Sequence, residues 1–142
     1  NSPALSKNRR RRVFRGAHYL DGFEPFASKV ESFLLSAMDK KHTLCTSTIT
    51  DTEYFVHPYR EKNMAKIRAY KTFLQDSHIL KISIGEDIAE KAAQIRAAYQ
   101  GIKIADSLQH ATAIIHGCDV FLTNDKQLRQ VEEIKVLLVD DL

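Results

Sequence analysis

Ala105-Asp106-Ser107-Leu108-Gln109-His110-Ala111-Thr112-Ala113-Ile114-Ile115-His116-Gly117-Cys118-Asp119-Val120-Phe121-Leu122-Thr123-Asn124-Asp125 decides the fold class. Its first half predicts an apolar helix over Ala105–His116, ended by Gly117. Its second half predicts a short strand over Asp119–Thr123. A strand this apolar is covered on both faces, which is the condition of a parallel sheet flanked by helices.

Working outward, the same alternation continues. Val136–Val139 reads as another covered strand, with a short helix over Lys126–Gln130 before it. Toward the amino terminus, Ile88, Ala89, Ala92, Ala93, Ile95 and Tyr99 recur at helical steps and predict a helix over Glu86–Tyr99, stopped by Gly101. Ile79–Ile82 predicts a strand and Asn63–Gln75 a helix. Thr50-Asp51-Thr52-Glu53 has the form of a capping box ahead of Tyr54-Phe55-Val56, and Pro58 should end or kink that helix within two turns. Thr43–Thr48 reads as a strand, and the spacing of Phe23, Phe26, Val30, Phe33, Leu34 and Met38 predicts a helix of about five turns. Strands alternating with helices imply an α/β sandwich around a parallel sheet.

The 142 residues fit one domain, and no apolar run approaches the roughly 20 residues that a membrane helix needs. Cys45 and Cys118 lie far apart without a CxxC, so a disulfide scaffold or thiolate zinc site is not expected. No apolar h-region follows the basic start, and the expected compartment is reducing and cytoplasmic. The net charge of +3 conceals an asymmetry. Residues 1–18 hold Lys7, Arg9, Arg10, Arg11, Arg12 and Arg15 and no acid, while the remainder carries 15 Lys+Arg against 18 Asp+Glu. The expectation is therefore an atypical basic segment without structure over 1–18 and a folded domain over 19–142.

In a parallel sheet, ligand-binding groups collect beyond the carboxyl ends of the strands. Three acids fall there: Glu53 after the Thr43–Thr48 strand, Asp106 opening the apolar helix, and Asp125 directly after the Asp119–Thr123 strand. Each also has a plain structural role open to it. Glu53 can partner Thr50 in a capping box, Asp106 can satisfy helix N–H groups, and Asp125 can cap Lys126–Gln130. Together they would repel one another by roughly 4 kcal/mol per pair at about 4 Å and an effective dielectric near 20. A hard divalent cation removes that repulsion, and Mg²⁺ or Mn²⁺ suits an oxygen ligand set.

Three segments carry a resemblance: Thr46–Glu53, Ala105–Ala113 and Gly117–Asp125. They resemble the PIN-domain family, and within it the VapC-like ribonuclease toxins, over about Tyr19 to Leu142. The resemblance implies a Rossmann-like three-layer α/β/α sandwich. It implies an RNA phosphodiester hydrolase dependent on Mg²⁺ or Mn²⁺, the toxin of a type II toxin–antitoxin pair. Glu53, Asp106 and Asp125 would be the catalytic, metal-binding acids, with Thr123 and Asn124 behind them. RNA as substrate, a cognate antitoxin as partner, a homodimer and a cytoplasmic location follow from the same resemblance.

One departure stands out. The family begins with an apolar central strand ending in a fourth acid, and counting back from Asp21 puts Arg12 at that position. Strand and acid are therefore both expected to be missing, and a shifted reading frame or misassigned start joined to a normal body would account for it. An Arg there would oppose Mg²⁺ by about 7 kcal/mol at about 5 Å, again at a dielectric near 20. The alternative function is a catalytically inert PIN domain that binds RNA or an antitoxin; a third is a basic-tail nucleic-acid binder.

Other chemistries lack their sequence signatures. The six histidines share no metal-ligand spacing, Ser47 and Ser107 lack a GxSxG elbow, and the five glycines are scattered singly. Tyr54, Tyr59, Tyr70 and Phe73 read as core. Arg60, Lys62, Lys66, Arg68 and Lys71 form a basic cluster whose default role is a solvated face.

Overall fold

The computed structural model describes residues 11–15, 42–138 and 141. The helix expected over Phe23–Met38 lies outside the described residues. Five strands form one sheet in the order β3-β2-β1-β4-β5, with every neighbouring pair parallel. They are β1 (Arg12–Arg15), β2 (Thr43–Ser47), β3 (Leu80–Ile82), β4 (Val120–Thr123) and β5 (Lys135–Leu138). The described helices are α1 (Thr48–Arg60), α2 (Met64–Asp76), α3 (Glu86–Ala98) and α4 (Ile104–Ile115), with a 3-10 turn over Lys126–Gln130.

The first strand, expected to be missing, is present and central. Val13 pairs with Leu44 on one side and Val120 on the other, and Phe14 with Cys45 and Phe121. Two apolar residues are too few to show a strand period. Their setting supplies the rest, because Val13 and Phe14 are both 0% exposed between two strands and two helical layers. Arg12–Arg15 thus belong to the sheet although they lie within the basic segment.

Arg12 also stands elsewhere than expected. It opens β1 at the amino edge of the sheet, where it is exposed. Its backbone N–H donates to Asp119 Oδ2 at 2.8 Å and its guanidinium to the His116 carbonyl at 2.7 Å. The residue at the carboxyl end of β1 is Arg15, which is buried and whose carbonyl accepts from Thr46 Oγ1 at 2.9 Å.

Parity along the strands separates the layers. Phe14, Cys45 and Phe121 join Ile88, Ala92 and Ile95 of α3 and Ala111 and Ala113 of α4 in one apolar cluster. The opposite parity points toward α1, where Thr46 Oγ1 and Thr50 Oγ1 lie 2.8 Å apart. The result is the expected three-layer α/β/α arrangement. Within the first cluster the rings stack in series: Phe14 on Phe121 at 5.2 Å between centroids, and Phe121 on His110 at 4.1 Å.

The α1 start differs from the capping-box expectation. Ser47 is the N-cap, its side chain accepting from the Ile49 N–H, and the helix begins at Thr48. Thr50 is buried inside the helix, which leaves Glu53 in the second turn and exposed. Pro58 lies within α1, which ends two residues later at Arg60. Both turns around α4 use glycine at positive φ, +81° at Gly101 and +66° at Gly117. No helix among the described residues is long and apolar enough to cross a membrane.

Candidate functional site

Parallel strands direct their carboxyl ends to one edge, and the segments leaving β2 and β4 meet there with the start of α4. A cleft of about 310 Å³ opens at this edge. Glu53, Asp106 and Asp125 all line it, together with Lys103, Gln109, Thr123 and Asn124. The three acids come from α1, the first turn of α4 and the residue after Asn124, so the topology brings together side chains up to 72 positions apart.

Asp125 carries its structural role at the same time. Its Oδ1 accepts from the Gln127 N–H at 2.9 Å and so caps the 3-10 turn. Its own N–H donates to Thr123 Oγ1 at 3.2 Å, which pins the chain as it leaves β4. Asp106 lies in the first turn of α4, where the helix dipole favours a negative charge. The N-cap of that helix, Lys103, makes no side-chain cap and lines the cleft instead.

Beneath the acids is a buried polar network. Gln109 accepts from Ser47 Oγ through Oε1 and donates from Nε2 to Thr50 Oγ1 at 3.0 Å. Thr50 in turn meets Thr46, which donates to the Arg15 carbonyl. Ser47, Thr46, Thr50 and Gln109 are all buried, and the chain of bonds links α4, β2, α1 and β1 under the cleft floor.

Every potential donor to a cation here is oxygen, which suits a hard divalent ion. The Asn124 Oδ1 atom is buried and has no hydrogen-bond partner among the described residues, leaving one further oxygen uncommitted at the cleft. Among the described residues, no three His, Cys, Asp or Glu side chains are gathered tightly enough to form a ready metal-holding group. The donor chemistry fits, and the acids line one cleft without closing on a point. The described part of β1 adds no carboxylate, since its carboxyl end is Arg15.

His110, one turn beyond Asp106, takes no place in the cleft lining. Its ring is fully buried against Phe121, and burial lowers its pKa to about 4. Lys103 and Gln109 were not singled out by their sequence context. Gln109 had one usable signal, a polar side chain three residues after Asp106 on the buried face of an apolar helix. Lys103 had none.

The fold is shared with several solved structures. FitAcB from Neisseria gonorrhoeae superposes with a TM-score of 0.71 at 21% identity, covering 92% of this chain and 99% of that one. A toxin–antitoxin complex from Klebsiella pneumoniae gives 0.66 at 21% identity, covering 92% and 99%. VapBC2 from Rickettsia felis, bound to a promoter DNA fragment, gives 0.65 at 16% identity, covering 89% and 98%. No curated protein sequence matches. The PIN domain family model matches residues 19–134, which takes in all three acids and leaves β1 just ahead of it. With most of its length inside that match, the chain belongs to the PIN domain family.

Proposed function

We propose that this protein is a divalent-metal-dependent endoribonuclease of the cytoplasm, the toxin of a toxin–antitoxin pair. The observation that carries this reading is the convergence of Glu53, Asp106 and Asp125 on one cleft at the carboxyl edge of a PIN-domain sheet. Those three carboxylates would hold Mg²⁺ or Mn²⁺, with Asn124 Oδ1 as a further oxygen beside them. The bound ion would supply charge stabilisation for a phosphodiester undergoing attack by water. Gln109 and its partners hold the ends of α1 and α4 so that Glu53 and Asp106 face the same space. Lys103, at the rim, is placed to meet a substrate phosphate. The Klebsiella structure is a toxin–antitoxin complex, which supports an antitoxin as the partner here.

A second reading has one observation in its favour. Arg15 ends β1 where an acid would complete the site, which suits an inert domain that binds RNA or an antitoxin without cutting. Incubating the purified chain with single-stranded RNA separates the two. The nuclease reading expects cleavage with added Mg²⁺ or Mn²⁺ that EDTA abolishes and that Asp106→Asn and Asp125→Asn each suppress. Intact RNA with either metal, or cleavage that survives both substitutions, overturns it.

A further inference from the structure

Positive charge is unevenly spread over the described body. Residues 54–71 carry Arg60, Lys62, Lys66, Arg68 and Lys71 against Glu61 alone, while residues 72–138 carry seven Lys+Arg against nine Asp+Glu. The first group occupies the hairpin formed by α1 and α2. Among the described residues none of these five cations is ion-paired. Arg60, Lys62, Arg68 and Lys71 are exposed. Lys66 and Lys71 lie near the Tyr54 and Phe55 rings, at 6.0 and 5.8 Å.

A merely solvated helix pair intersperses charges of both signs, because like charges on neighbouring turns are unfavourable. Over residues 54–71 this hairpin does not: its other acids, Asp51, Glu53 and Asp76, lie at the start of α1 and the end of α2, away from the turn. The hairpin also exposes an aromatic ring at Tyr59, 54% accessible, where core burial was expected. Glu53 and Arg60 share α1, and seven residues span about 10 Å of helix axis, so the basic surface begins about two turns from the cleft. A three-carboxylate cleft repels a polyanion, and a cationic surface alongside offsets that repulsion.

We propose that the α1–α2 hairpin is the binding surface for single-stranded RNA flanking the phosphodiester at the cleft. Arg60, Lys62 and Arg68 contact phosphates, and Tyr59 offers a face on which a base stacks. This placement rests on the ribonuclease reading for its relation to the cleft, while the binding itself does not require cleavage.

The test is fluorescence anisotropy of a labelled single-stranded RNA with the full chain in EDTA, over a series of salt concentrations. Replacing Arg60, Lys62 and Arg68 together by Gln leaves the cations near the Tyr54 and Phe55 rings in place. The expected result is an affinity at least tenfold lower. The slope of log affinity against log salt should shrink by about 2, at roughly 0.7 for each phosphate no longer neutralised. Tyr59→Ala should weaken binding roughly tenfold with the slope unchanged. A folded triple variant with wild-type affinity and slope overturns the assignment. So does equal affinity for polyglutamate of the same length, which would point to an acidic protein partner. If the wild type binds RNA through this surface but never cleaves it, the surface stands and the nuclease reading falls. If it cleaves RNA and the hairpin substitutions change nothing, the nuclease reading stands and the surface falls.

Discussion

The Gln109 side chain on α4 donates a 3.0 Å hydrogen bond to the Thr50 hydroxyl on α1, joining the two helical layers across the carboxyl edge of the sheet. With Ser47 donating to the other end of the same amide, one side chain sets the spacing between the helices that carry Glu53 and Asp106. Gln109→Leu keeps the volume and removes both bonds, leaving buried hydroxyls short of a partner. The expected loss is about 2 kcal/mol, read as a lower urea midpoint with an unchanged slope. Cleavage should fall further than stability alone explains.

Phe14 is the centre of a sheet that its sequence neighbourhood conceals. It stacks on Phe121 and is fully enclosed, so Phe14→Ala should cost about 3–5 kcal/mol in chemical denaturation. Hydrogen exchange should show slow Val13, Leu44 and Val120 amides. A near-neutral Phe14→Ala would mean that β1 is not seated between β2 and β4.

Most elements were legible because apolar spacing and turn glycines speak locally. The strand over Thr43–Ser47 and the helices over 64–76, 86–98 and 104–115 fall within a residue or two of their sequence expectations. β1 was hidden because two of its four residues are Arg and only Val13 and Phe14 signal burial. Arg12 is tolerated because it sits at the exposed amino edge with the His116 carbonyl as partner. The acids of the cleft could be found from topology, since each follows a strand or opens a helix at the same edge. The network under them could not, because Ser47, Thr46 and Thr50 look like ordinary strand and cap residues until the fold closes on Gln109.

His110 gives the protein an acid-sensitive core. Burial against Phe121 lowers its pKa from 6.5 to about 4, so the folded state favours the neutral ring. The corresponding stability is fully present above the unfolded value and is lost as pH falls toward the folded one. Between pH 7 and pH 4 the loss from this residue should reach about 3 kcal/mol. His110→Leu should flatten that part of the stability profile; an unchanged profile would assign the acid sensitivity to other groups.

Asp125 separates capping from chemistry. Asn at this position can still accept from the Gln127 N–H, so Asp125→Asn should change stability by less than about 0.5 kcal/mol. RNA cleavage should nevertheless fall by roughly 100-fold or more, because a charge at the cleft is lost. Parallel denaturation and cleavage assays on one preparation check both halves.

The central claim is that three carboxylates, without an acid from the described part of β1, suffice to hold a divalent ion in the cleft. Mn²⁺ titration followed by electron paramagnetic resonance tests it most directly, since bound and free ion differ in signal. The wild-type chain should bind one Mn²⁺ that Mg²⁺ displaces, and the folded Asp106→Asn, Asp125→Asn double variant should bind none. No binding by the wild type, or equal binding by the double variant, would contradict the account.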